Sequence, residues 1–423
     1  MTSEQIAILI LIVTIILYFS EIIPVYMTAM LSALAMVFFN IISYKDVFKN
    51  LSSDIILLII GMAVISNALS ENGIIKYISH FLLKFAKMNE KYFILYAFLL
   101  AALSATILSS TVSLYMFLPV IDDIVKRSNG KFAYRHLYMT TAIGALFGGT
   151  ITSVGTTSVM NASALLVSSG YNRGMHFFEP GRIMVPIIIC VALSHLLFVY
   201  KVQKKVFHFE DTPIGITEKK NQITSSLFKK IVCIIVLVFC IISFIFEVLS
   251  PGFTAMIGAM ILILTKCVND KDIFKSVNWN MVFVVVGSLG FATGLYESGA
   301  TTYLVELFTR FLHLSEVHTF VPCISLLFIS TLFSNFMTNN STVAITVPIA
   351  IQLAESFGID AMALVMACAI GSNISLATPV CTSNIMIVNA CGYRFKDHLI
   401  IGGLYNLIAF VVAAVMLYLT YFI

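Results

Sequence analysis

The sequence predicts an all-α polytopic membrane protein made as an inverted repeat, each half holding five transmembrane helices and one re-entrant hairpin. Three observations predict it. Of the 423 residues, 59% are hydrophobic and only 11% are charged, which no water-soluble domain matches. Apolar stretches of roughly 20 residues, enough to cross a hydrocarbon core of about 30 Å, recur from Ile6 to the end of the chain. The chain also echoes itself, in order, over most of its two halves.

The first apolar stretch, Ile6 to Ile23, has no basic start and no small-residue cleavage site, so it reads as a retained spanning helix with no soluble domain before it. Spans follow at about 27–42 and 54–70, then an amphipathic piece at 74–88 and an apolar pair broken by polar residues at 92–125. An interrupted span at 136–168 and a last span at 181–201 complete the first repeat, residues 1–201. Residues 202–226, with Lys204, Lys205, Asp211, Lys219 and Lys220, form a hydrophilic linker, and the second repeat, residues 227–423, runs through the same order.

The register of the repeat is legible. At an offset of 226, Asp46-Val47-Phe48-Lys49 is echoed by Asp272-Ile273-Phe274-Lys275, Gly61 by Gly287, and Leu69-x-Glu71-x-Gly73 by Leu295-x-Glu297-x-Gly299. At 229, Ser109-Ser110-Thr111 through Pro119 faces Thr338-Asn339-Asn340 through Pro348. At 222, Gly149 to Thr156 lies against Gly371 to Thr378. Charge tests the hairpins, because cytoplasmic loops collect Lys and Arg. If each broken pair returns to its starting side, each half has five crossings and the halves are inverted. The 25 basic residues then divide 20 to 5 between the two faces. This places the linker in the cytoplasm, both termini outside, and the chain in the cell's inner membrane as a multi-pass protein.

Polar residues inside membrane segments cost free energy unless protein, water or ligand satisfies them, so their clusters are candidate sites. Four clusters stand out: Ser109 to Thr111 and Thr338 to Thr342 at the hairpin breaks, and Thr150 to Ser158 and Ser372 to Asn384 in the interrupted spans. Gly148, Gly149, Gly155, Gly371 and Pro379 supply the backbone freedom that unwinding needs. A broken helix exposes N–H groups at one new end and carbonyls at the other, so an anion and a cation can be held side by side without a charged side chain. Residues 137–172 and 319–354 contain no Asp, Glu, Lys, Arg or His, which suits a small divalent anion carried with a cation that offsets its charge.

Other features read as structural. The eight cysteines, from Cys190 to Cys391, have no CxxC spacing and read as packing residues. His195, alone on an apolar span, is expected to be satisfied within the bundle, and Glu71 and Glu297 to face interfacial water. The stretches 74–88 and 301–312 look like interfacial helices. The basic residues sit singly in short connections, so no nucleic-acid partner is expected, and no cofactor is implied beyond a coupling ion.

On these residues the chain resembles the divalent-anion/sodium symporter family of dicarboxylate, citrate and sulfate carriers. The resemblance rests on the two hairpin motifs with Pro119 and Pro348, on Gly148-Gly149-Thr150 through Gly155-Thr156, on Leu376-Ala377-Thr378-Pro379, and on Gly392 to Asp397. It implies substrate contacts from Ser110, Thr111, Thr156, Asn339, Asn340, Thr378 and Pro379. It implies sodium sites at Ser110 with Gly155 and at Asn339 with Ala377, and a homodimer with an elevator-type movement. The family's tips read Ser-Asn-Thr, whereas these read Ser-Ser-Thr and Thr-Asn-Asn, so an amide is missing at position 110 and gained at 340. An arsenite-permease-like oxyanion exporter is the alternative within transport, but its Asn-Asp pair is replaced here by Ser110-Thr111. An intramembrane hydrolase would need paired aspartates, HExxH or a Ser-His arrangement, and the sequence shows none. No enzymatic activity is expected. A channel is the third option, and hairpins that close from opposite sides favour a carrier over it.

Overall fold

The computed structural model describes residues 2–423 apart from 21, 74–88, 129, 172, 211, 215–225, 247, 269, 312–318 and 380–381. Among the described residues all regular structure is helical. The first half runs α1 (Ser3–Ser20), α2 (Val25–Phe38), a short α3 (Tyr44–Phe48), α4 (Asp54–Glu71), α5 (Glu90–Ile107), α6 (Ser110–Arg127), α7 (Tyr134–Gly149), α8 (Thr157–Ser168) and α9 (Gly181–Val206). The second half repeats that order as α10 (Leu227–Phe246), α11 (Pro251–Leu264), α12 (Asp270–Ser276), α13 (Trp279–Glu297), α14 (Ala300–Phe311), α15 (Phe320–Ser334), α16 (Asn339–Phe357), α17 (Ala361–Asn373), α18 (Ser383–Asn389) and α19 (Phe395–Tyr421). The expected interfacial helix at 301–312 is α14 as far as Phe311, while its counterpart at 74–88 lies outside the described residues. Five of these helices, α5, α9, α10, α13 and α19, are long and apolar enough to cross a membrane by themselves.

Small details of the chain repeat at the offset of 226. Asn40 and Lys266 are repeat mates and, among the described residues, the only non-glycines in the left-handed region, with φ of 56° and 53°. Each follows the last turn of its helix. The N–H of the next residue, Ile41 or Cys267, then reaches back 2.9 Å to the carbonyl of Met36 or Leu262, closing a Schellman turn.

The halves exchange partners. The second helix of each packs on the fourth of the other, α4 with α11 and α13 with α2. A Cβ on Gly61 would sit 2.6 Å from the Ala255 backbone, and one on Gly287 would sit 2.5 Å from the Ala29 backbone. Positions 29 and 255 are themselves repeat mates, so this is one contact made twice, as a pseudo-two-fold axis requires. Small residues let the backbones meet where no hydrophobic drive separates helix from lipid. Both pairs run parallel: Gly61 lies at Ala255 and Gly258 at Ile65, while Gly287, Gly290 and Gly294 lie at Ala29, Ala33 and Met36 in turn.

A second exchange builds the middle of the molecule. Helices α5 and α6, joined by Leu108 and Ser109, form one hairpin, and α15 and α16 form the other. Each hairpin's first arm packs tightly on the first piece of its own interrupted span, α5 on α7 through Gly144 and Gly148, and α15 on α17 through Gly371. The second pieces cross over, so α8 packs on α16 and α17 while α18 packs on α7 and α6. Helix α19 braces the second interruption, because a π-type turn at His398–Gly402 seats Gly402 on the Leu376 carbonyl, and Asn406 accepts the Leu376 N–H at 3.0 Å. His195 is buried in α9, its Nδ1 3.0 Å from the Tyr405 hydroxyl. Glu297 is exposed at the end of α13.

Candidate anion-binding site

Four helix starts converge on one cavity. At the hairpin tips, Ser109 (φ −66°, ψ 147°) and Thr338 (φ −67°, ψ 152°) precede α6 and α16 in the extended conformation of an N-cap. Their hydroxyls accept the Val112 and Ser341 N–H groups at 3.4 and 3.3 Å. In the interrupted spans, Thr156 (φ −129°, ψ 143°) precedes α8 and Thr382 (φ −133°, ψ 150°) precedes α18. Thr382 accepts the Ile385 N–H at 3.2 Å. Thr156 differs: it makes no cap bond, and its buried hydroxyl has no partner.

All four starts line a cavity of about 820 Å³, through Ser110, Thr111, Thr156, Asn339, Asn340 and Thr382. The starts of α6, α8 and α16 each carry about +0.5 of an elementary charge, and the seven-residue α18 adds less, so the dipoles together favour an anion. Among the described residues that line the cavity, Lys275 alone carries a formal charge, and it stands at the mouth. The interior therefore holds donors, hydroxyls and amides but no carboxylate.

Each tip is tied to the other half's second piece. The Asn340 amide donates to the Thr157 hydroxyl at 2.8 Å, and that hydroxyl donates to Asn340 Oδ1 at 3.0 Å. The repeat mate of Asn340, Thr111, donates to Asn384 Oδ1 at 3.2 Å and lies 3.2 Å from the Ser383 hydroxyl. Beneath them, Asn339 Oδ1 accepts from Ser334 and Ser375 at 2.9 and 3.3 Å. Its amide donates to Asn373 Oδ1 at 3.0 Å, and the Asn373 amide donates to the Ser158 hydroxyl at 2.9 Å. On the other side, Gly149 and Gly155 face each other so closely that a Cβ on either would meet the other's carbonyl, and the Gly155 carbonyl accepts the Ser110 N–H at 3.3 Å.

Of the sequence-derived site residues, Ser110, Thr111, Gly155, Thr156, Asn339 and Asn340 line this cavity together. Ala377, Thr378 and Pro379 are not among its lining residues. The Thr378 hydroxyl donates instead to the Asn335 carbonyl, and the Ala377 N–H donates to Asn335 Oδ1 at 2.9 Å. The structural mate of Thr378 is Thr152, whose hydroxyl donates to the carbonyl of Thr106, the mate of Asn335. The mate of Thr156 is thus Thr382, at an offset of 226 in place of 222. Thr157, Thr382 and Ser383 also line the cavity; they fall inside the polar clusters of the sequence without being among its candidate site residues, and the signal available for Thr382 was the offset of the earlier part of the repeat, whereas Tyr26, Asn67, Thr106, Lys275 and Asn278 belonged to no cluster.

A family model described as a citrate transporter (CitMHS) matches residues 9–371 and 321–423. The chain belongs to the citrate transporter family. It is 25% identical over 417 residues to an uncharacterised transporter of Haemophilus influenzae, covering 96% of this chain and 89% of that one. It is 22% identical to a sodium-dependent dicarboxylate transporter of Staphylococcus saprophyticus, covering 95% of this chain and 83% of that one. Among solved structures it shares its fold with Neisseria gonorrhoeae MtrF, described within a class of antimetabolite efflux pumps, at a TM-score of 0.62 and 12% identity over 93% of this chain and 84% of that one. The Alcanivorax borkumensis YdaH transporter gives a TM-score of 0.61 at 10% identity, over 92% and 88%. This citrate transporter family member is therefore a multi-pass membrane transporter and no enzyme, with a small anion as its substrate.

Proposed function

We propose that this protein is a secondary active transporter that carries a small di- or tricarboxylate together with sodium, by an elevator-type alternating-access movement of a homodimer. The observation that carries the proposal is the meeting of four helix starts, two from hairpins and two from interrupted spans, on one cavity with no acidic side chain among its described lining residues. Partial charges spread over four separate elements suit carboxylates held apart on one molecule better than the single compact group of sulfate. Dipoles and hydroxyls also hold a dianion without the deep trap that buried basic side chains would set, so the anion is released in each cycle.

Sodium is the coupling ion this arrangement favours, since each interruption leaves carbonyl and amide oxygens near a tip: the Gly155 carbonyl beside Ser110, Asn339 Oδ1 with the Ser334 and Ser375 hydroxyls, and Asn373 Oδ1 beside the Asn339 amide. The relative named as a sodium-dependent dicarboxylate transporter supports the same pairing.

Inversion of the halves is supported by the parallel packing of α4 with α11. The cavity is lined by the start of α2 at Pro24 and Tyr26 and by Asn67 near the end of α4, so α2 and α4 run in opposite directions. Because α11 is the counterpart of α2 and runs with α4, the second half is inverted relative to the first. Under that topology the mouth, at Tyr26, Asn67, Lys275 and Asn278, opens on the face rich in Lys and Arg, which is an inward-facing state.

Reconstituted protein tests the proposal through uptake of labelled citrate, succinate and sulfate under sodium, potassium or proton gradients. Sodium-driven uptake of a carboxylate, with sulfate excluded, is the expected result. Movement of an oxyanion such as arsenite with no carboxylate uptake would replace this function with the efflux alternative.

A further inference from the structure

Two repeat mates, α4 and α13, border the large cavity over unequal lengths. On α4 the lining runs from Ile59 to Asn67, whereas on α13 it stops at Val284. Beyond Val284 the same face of α13 continues under cover. Met281, Val284 and Ser288 follow one another at helical spacing, on a different face from Gly287, Gly290 and Gly294, which seat α13 on α2. Helix α13 also packs on α8 and α16, two of the helices whose starts form the site. Ser288 is 1% exposed, and its hydroxyl has no hydrogen-bond partner among the described residues. A helical hydroxyl ordinarily bonds the carbonyl one turn back, as Thr293 does to Leu289 at 3.0 Å on the same helix. Left dry and unpaired, it costs free energy.

The repeat mate of Ser288 is Met62, which lines the cavity. In an inverted repeat the opposite access state exchanges the surroundings of the two halves, so the place that Met62 holds here is the one Ser288 takes when the cavity opens the other way. Resting on the alternating-access function above, we propose that Ser288 lines the cavity in the outward-facing state, where water satisfies its hydroxyl, and that its unpaired burial in this state weights the equilibrium toward outward-facing. A group satisfied in one state and orphaned in the other shifts the populations by the difference. The effect is on access, since Ser288 is not among the residues lining the anion site.

Cysteine-free protein in sealed vesicles of known orientation, treated with a membrane-impermeant thiol reagent, tests both parts. Ser288→Cys is expected to react from the outer face and not from the inner one. Val285→Cys reports the outward-facing state in a protein that keeps Ser288, because Val285 is buried here and its mate Ile59 lines the cavity. Adding Ser288→Ala is expected to slow the reaction of Val285→Cys from outside about fivefold or more, as removal of one orphaned hydroxyl from the buried state requires. Reaction of Met62→Cys from the inner face is expected to be undiminished by the same change, which separates a shifted equilibrium from a damaged fold. Reaction of Ser288→Cys from the inner face, or from neither face in a variant that still transports, would overturn the proposal while leaving anion transport standing. An unchanged or faster reaction of Val285→Cys beside Ser288→Ala would do the same. A wild-type protein that moves no anion would instead remove the function on which the proposal rests.

Discussion

Thr156 is the side chain on which the site's chemistry concentrates. The other three helix starts are capped by their own Ser or Thr, whereas the Thr156 hydroxyl is buried at the cavity wall with no partner and the N–H groups behind it have no side-chain cap. Under the proposed function a substrate carboxylate oxygen is that missing acceptor. Thr156→Val keeps the shape and removes the hydroxyl, so KM is expected to rise about 10- to 100-fold, the worth of one hydrogen bond to a charged group, with Thr156→Ser recovering most of it in an uptake assay. Thr378→Val is the contrasting case. Its hydroxyl bonds the Asn335 carbonyl away from the cavity, so thermal stability in detergent is expected to fall by about 1 kcal/mol with KM unchanged. Sequence comparison paired these two threonines because a Gly-x-x-x-x-x-x-Thr run occurs before each. The fold pairs Thr156 with Thr382 because a helix start is set by backbone geometry and capping, which a run of Gly, Ser and Thr leaves open in sequence. The ties from Asn340 to Thr157 and from Thr111 to Asn384 join residues 183 and 273 apart, and no local pattern announces them.

At the scale of elements, close helix approach does the work that a hydrophobic core does in water. Gly148 lies against the Ala102 backbone where α7 meets α5, and Gly61 against Ala255 where α4 meets α11. A methyl group at either place forces the backbones apart, so Gly148→Ala and Gly61→Ala are each expected to destabilise the protein by about 1–3 kcal/mol, seen as a lower melting temperature in detergent. Gly403, with nothing within 4 Å of a Cβ and a helical backbone, is the internal control. Gly403→Ala is expected to be neutral or to stabilise by up to about 1 kcal/mol. These elements were largely legible beforehand. The hairpins fell where polar residues interrupt apolar runs and the N-caps at Ser109 and Thr338 kept the expected offset, because capping residues and membrane polarity are local signals. The exchange of α8 and α18 between the halves was not legible, since periodicity shows which face of a helix is apolar and not which helix covers it.

Taken whole, the two halves share an order of helices and several contacts that appear twice, and the proposed transport cycle rests on those halves being inverted copies of one unit. Asn40 and Lys266 test that arrangement, being exposed repeat mates at equivalent turns. Asn40→Cys is expected to react with a membrane-impermeant thiol reagent only from outside the cell, and Lys266→Cys only after the inner face is opened to the reagent. Reaction of both from one side would mean that the halves share an orientation. The most direct measurement of what the protein does is uptake of labelled citrate and succinate into liposomes under an inward sodium gradient, with Thr156→Val alongside. Sodium-driven accumulation of a carboxylate, with its KM raised in the variant, is the result expected from four helix starts facing one cavity whose described lining holds no carboxylate. Accumulation that ignores sodium, or that the loss of the Thr156 hydroxyl leaves untouched, would contradict it.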